Sequence, residues 1–191
     1  MYETRAIARY IEAKYPSQGT KLIPSTKDLK VIALFEQAVS VEVSNFDPHV
    51  SGVVDEGLFK PYVQAACASQ DTDRAACRLR GLGRDEAAYE KHMVKLEQSL
   101  GVYEKILSKQ RYVAGDVYPL LTMAYCVNTD ICLQEFTMAD IFHIPYGALV
   151  AHTGSDVMTR NPNVARWWLE IASRPSWTAM ADGIVSTASQ K

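Results

Sequence analysis

Apolar positions recur along this chain every three or four residues, and no stretch alternates long enough to make a convincing strand. The first run, Thr4 to Tyr15, puts Ile7, Tyr10 and Ile11 on one face, and Pro16 stops it. In KLIPSTKDLK, Ser25 and Asp28 have the spacing of a capping box, which predicts a helix start. Val31, Leu34, Phe35, Ala38 and Val41 then give that helix a wide apolar face. Pro48 is predicted to bend or break it, and Val53, Val54, Leu58 and Phe59 to extend it. The cleanest amphipathic segment is the third, Asp85 to Leu107, with Tyr89, Met93, Leu96, Leu100, Tyr103 and Leu107 at helical spacing.

A fourth helix is predicted to open at Thr137. Asp140 stands three residues on, as a capping box requires, and Phe136 and Ile141 are placed as a hydrophobic staple. The fifth has Asn161 as N-cap and Pro162 at its first position; it buries Val164, Trp167, Trp168 and Ile171 and stops before Pro175. A short last helix around Trp177 to Met180 folds back on it. The pattern predicts an all-α bundle.

Length and charge narrow the reading. The 191 residues carry a net charge of -2, enough chain for one domain, or one domain and a fragment. No Lys/Arg run marks a nucleic-acid face. The longest uncharged run, Ile141 to Ser155, holds two His, a Pro and two Gly and is too short to span a bilayer. MYETRAIARY has no apolar core of a secretory signal. The four cysteines form no C-x-x-C pair, so neither a disulfide framework nor a zinc site is expected, and a cytoplasmic protein with reduced thiols follows.

Four stretches carry a resemblance: ETRAIARYIEAKYP, FEQAVSVEVSNFDP, EFTMADIFHIPYGALV and NPNVARWWLEIASRPSW. Together, in order and over most of the chain, they resemble a glutathione transferase, most closely the phi-type enzymes and their fungal relatives. The resemblance is to the helical C-terminal domain plus the last helix of the thioredoxin-like domain. It divides the chain into a remnant of that domain at 1–16, a linker at 17–27 and the helical domain at 28–191.

The resemblance implies glutathione as co-substrate, no metal, a hydrophobic electrophile and a homodimer. Glu3 and Thr4 match the family's Glu-Ser pair that holds the γ-glutamyl end of glutathione. The match makes physical sense, since a carboxylate pairs with the ammonium while a hydroxyl and free amides at a helix start suit the carboxylate. A helix cap is the plainer reading of the same two residues. Val43, Asn45 and Phe46, near Pro48, are the candidates for the electrophile pocket, with core packing the common fate of such residues.

In the family, the residue that activates the glutathione thiol lies upstream of this helix, so the chain is expected to be N-terminally truncated and weak or inactive as written. The rival reading, from a different class, is a non-catalytic helical module that binds partners or ligands.

Two stretches interrupt the resemblance. Removing 117–134 joins YVAGD to EFTMADIFHIPYG, and removing 63–79 joins LFKPY to RGLGRDEAAYEKHM. All four cysteines fall inside them. They read as insertions, either surface loops or translated introns. His49, His92, His143 and His152 have no carboxylates at ligand spacing and read as surface or satisfied buried histidines. Asp140, in its capping position, is structural rather than catalytic.

Overall fold

The computed structural model describes residues 2–24, 27–68, 83–115 and 136–180. Every regular element among them is helical. Helix α1 spans Thr4–Lys14. A longer helical rod follows: α2 (Leu29–Val41), a π-helical turn (Glu42–Phe46), α3 (Asp47–Val54), a second π turn (Asp55–Phe59) and α4 (Lys60–Ala68). Then come α5 (Glu86–Leu107), α6 (Met138–Ile141), α7 (Ile144–Val150), α8 (Pro162–Ala172) and α9 (Pro175–Thr178). No described helix is long and apolar enough to cross a membrane.

Two boundaries differ from the sequence reading. Asp28 is the N-cap of α2 and accepts the Lys30 N–H at 2.9 Å, whereas Ser25 lies outside the described residues. Pro48 does not interrupt the rod, because the preceding π turn shifts the hydrogen-bond register. Proline, with no N–H to donate, falls at the start of α3, where a missing donor breaks no ladder bond.

The proposed insertion at 63–79 begins inside α4. Its remainder from residue 69, and all of 117–134, lie outside the described residues. Cys67, the one cysteine among the described residues, is disulfide-bonded, so the expectation of reduced thiols fails there. Cysteine spacing carries no pairing information outside a known motif.

The core forms where α3 meets α5 and α5 meets α8. Val50, Val53 and Val54 share one cluster with Met93, Leu96, Leu100, Tyr103, Trp167 and Ile171. Gly57 lets the rod approach closely, since a Cβ there would lie 2.8 Å from Thr153 and 2.9 Å from Tyr89. Asn161 begins α8 without a side-chain cap; Glu104 of α5 does that work from outside. Its carboxylate accepts Asn163 N–H at 2.9 Å and Val164 N–H at 3.0 Å, so two orphan donors are met by a charge that also suits the helix dipole.

Two buried polar groups organise this core. Asp140, fully buried, takes four donors: Thr137 N–H (2.9 Å) and the Thr137 hydroxyl (3.2 Å) on one oxygen, Val113 N–H (3.2 Å) and Trp167 Nε1–H (2.9 Å) on the other. Burial pushes its carboxyl upward in pKa, and these donors pull against that. His143, also fully buried, lies 2.8 Å through Nδ1 from the Ala139 carbonyl and 3.0 Å through Nε2 from the Tyr103 hydroxyl. The carbonyl can only accept, so Nδ1 carries the proton and Nε2 accepts from Tyr103. Desolvation lowers its pKa from 6.5 to about 3, so the ring is neutral.

Asp140→Ala leaves four buried donors without their acceptor, and at about 1–3 kcal/mol for an unsatisfied group the loss should exceed about 3 kcal/mol in urea unfolding. Asp140→Asn should recover only part, because its amide would turn donors toward donors. For His143 the sign follows from its lowered pKa: the unfolded imidazole takes up a proton first. Stability therefore falls as pH drops below 6.5, continuing to about 3. Unfolding midpoints across that range should show the loss, and His143→Gln should flatten it.

Candidate functional site

Helix α1 buries none of its own residues and is held to the body by charge. Arg5 donates from Nε (2.9 Å) and Nη2 (2.7 Å) to one oxygen of Glu42 and from Nη2 (2.8 Å) to the other. It also lies 3.5 Å from Asp47, and its guanidinium sits 5.4 Å from the centre of the Phe142 ring. One turn on, Arg9 forks onto Glu36 at 2.9 and 3.0 Å. At the far end, Glu12 accepts the Leu22 N–H at 3.0 Å, while the Leu22 carbonyl accepts Met138 N–H at 2.8 Å. The segment after α1 is thus tied both to α1 and to the start of α6.

Glu42 is the unusual member. It is wholly buried, on the same face as Phe35, Ala38 and Val39. Desolvation pushes its pKa up, and Arg5 offsets this only in part. A buried carboxylate of this kind is tolerable because the guanidinium reaches it in a planar, multiply bonded arrangement. The π turn at Glu42–Phe46 widens the rod at this contact, as such turns often do at functional positions.

These ion pairs bring the two sets of sequence candidates to one place. Glu3 and Thr4 precede Arg5, while Val43, Asn45 and Phe46 lie between its two acidic partners, Glu42 and Asp47. Thr4 is the first residue of α1, and the Glu3 side chain makes no capping bond. Glu3 adopts φ 71° and ψ 109°, a conformation that costs a non-glycine residue on the order of 1–3 kcal/mol. Both side chains are exposed. Val43 and Asn45 are exposed too, but Phe46 is fully buried, 4.6 Å from the His143 ring centre, and so packs into the core.

Sequence reading did not single out Arg5, Glu42 and Asp47, whose ion pairs dock α1 here. A signal was present, since Glu42 interrupts an apolar face in helical register with Phe35, Ala38 and Val39.

A separate cavity of about 350 Å³ opens between α2 and the end of α5, lined by Leu34, Gln37, Val41, Tyr103, Ile106 and Gln110 among others, and none of the sequence candidates reaches it. Among the described residues, no group of three or more His, Cys, Asp or Glu could hold a metal ion.

No family model matches the sequence. Individual relatives do. Glutathione S-transferase PM239X14 of Arabidopsis thaliana is 38% identical over 88% of this chain and 61% of its own length. Glutathione S-transferase F11 of the same plant is 32% identical over 95% of this chain and 69% of its own length. The chain therefore spans about three fifths to about two thirds of the relatives it matches. Crystalline glutathione transferase F7 from Populus trichocarpa superposes with a TM-score of 0.71 at 26% identity, over 97% of this chain and 71% of its own. The agreement in sequence runs nearly end to end and is joined by agreement in fold: the chain belongs to the glutathione S-transferase family, with its likeness to the phi-type members.

Proposed function

We propose that the protein serves a glutathione transferase reaction, conjugation of the glutathione thiol to an electrophilic carbon of a hydrophobic acceptor, as a cytoplasmic homodimer, and that these 191 residues alone are weak or inactive in it. The observation that carries this reading is the docking of the α1 N-terminus beside the Glu42–Asp47 turn through Arg5. On this reading the Glu3 carboxylate pairs with the γ-glutamyl ammonium of glutathione. The Thr4 hydroxyl and the free N–H groups of the first turn of α1 take the adjacent carboxylate. The Glu3 side chain is exposed and makes no capping bond, which leaves it available to a ligand.

Val43 and Asn45 form the exposed part of the acceptor wall, with Phe46 behind them as packing. A wall with one apolar and one amide side chain suits hydrophobic electrophiles and discriminates weakly among them.

The domain division belongs to the same proposal: 1–16 as the last helix of a thioredoxin-like unit, 17–27 as linker and 28–191 as the helical domain. The charge-based docking of α1 supports treating it as a separate unit from the apolar bundle. Conjugation also needs the thiol, with a free pKa of about 8.5, brought nearer to neutrality. We assign that role to no residue of this sequence.

A polypeptide of these 191 residues should therefore be retained on immobilised glutathione but turn over a chromogenic electrophile little or not at all. Robust turnover would contradict this assignment. Glu3→Ala removes a charge-assisted contact worth about 1.5–3 kcal/mol, which predicts a tenfold or larger rise in the Kd for glutathione with an unchanged melting temperature. Arg5→Ala should differ from it in kind. It strands Glu42 in the core and should cost about 3 kcal/mol of stability, the lower end for a broken buried pair because Arg5 is 30% exposed.

A further inference from the structure

The two histidines of the α3–α5 contact are not used by the transferase reading. His49 of α3 and His92 of α5 face each other with ring centroids 6.3 Å apart and planes inclined at 50°. Gly52, one turn on from His49, fixes the second ring in place: a Cβ at that position would lie 2.4 Å from His92 Nδ1, so His92 rests directly on the α3 backbone. Both rings are half-buried where the two helices pack. One turn away along the same contact, the Ser99 hydroxyl donates to the Asn45 carbonyl at 2.7 Å. The contact therefore offers paired imidazoles beside a closed polar contact.

We propose that His49 and His92 form a two-imidazole site for a divalent transition metal, with water completing the coordination, that staples α3 to α5. With metal–nitrogen bonds of about 2.1 Å, two imidazoles sharing one ion have centroids no more than about 6.5 Å apart. The observed spacing falls inside that limit, and rotation of the part-exposed His49 ring closes it further. Imidazole suits Cu²⁺, Ni²⁺ and Zn²⁺, with Cu²⁺ held tightest.

Lys95, close enough to His49 to act on it electrostatically, adds a like charge beside a bound cation. The site is accordingly a weak one that Lys95 tunes.

Cu²⁺ alone, titrated into the full chain at pH 7.5, is the probe. The expected electron paramagnetic resonance spectrum carries nitrogen hyperfine structure from two imidazoles, and the melting temperature rises with Cu²⁺ because the ion binds only the folded helix pair. His49→Gln and His92→Gln should each weaken Cu²⁺ binding at least tenfold, while His152→Ala leaves it unchanged and Lys95→Met strengthens it several-fold. If His92→Gln fails to fold, His49→Gln and Lys95→Met decide alone. Affinity that stays within twofold of the parent in both of those, or a spectrum without imidazole nitrogen, would overturn the proposal. Neither result bears on glutathione binding.

Discussion

The arrangement depends on a single buried carboxylate. Asp140 sits where three parts of the chain meet: the start of α6, the segment after α5 through Val113, and α8 through Trp167. Each of its oxygens serves two donors, and no apolar substitute could satisfy a backbone N–H, an indole and a hydroxyl at once. The neighbouring histidine extends the same logic. His143 closes the chain from the Ala139 carbonyl to the Tyr103 hydroxyl, so α6 and α5 are joined by a polar contact inside an otherwise apolar core. Such a core costs more to assemble than a purely apolar one, but it specifies one register of α5, α6 and α8.

A second, different kind of contact joins α1 to this bundle. Apolar burial is nearly absent there; Ile7, Tyr10 and Ile11 remain exposed, at 36%, 47% and 51%. Two arginine–carboxylate forks take its place, one to the half-exposed Glu36 and one to the buried Glu42. An exposed pair contributes under about 1 kcal/mol, so the buried one sets the position of α1. That division of labour holds the N-terminal turn of α1 through Arg5 beside the Glu42–Asp47 turn.

Much of the fold was legible because periodicity and caps are local. The register of α5, the Thr137–Asp140 box and Pro162 at the start of α8 can be read from neighbours three or four residues apart. What could not be read depends on partners far along the chain. Asn161 is the N-cap residue of α8, as read, but its side chain makes no capping bond, and Glu104 from another helix meets those donors. Pro48 was expected to bend or break the rod; it does not break it, since a π turn just before it absorbs the register change. A family resemblance pointed to Glu3, Thr4, Val43, Asn45 and Phe46, but neither spacing nor resemblance singled out Arg5 and Glu42, whose ion pair docks α1 against the rod. Phe46 shows the limit of the residue-type argument: the same aromatic suits a pocket wall and a core, and burial alone separates the two.

If the first turn of α1, fixed by Arg5 and Glu42, receives the γ-glutamyl end of glutathione, a crystal structure of the 191-residue chain soaked with glutathione will show it. The glutathione ammonium should lie within hydrogen-bonding distance of the Glu3 carboxylate, its carboxylate on the Thr4 hydroxyl and the amides of the first turn, with the Arg5–Glu42 pair intact. Glutathione bound elsewhere, with Glu3 and Thr4 still facing solvent, would contradict it.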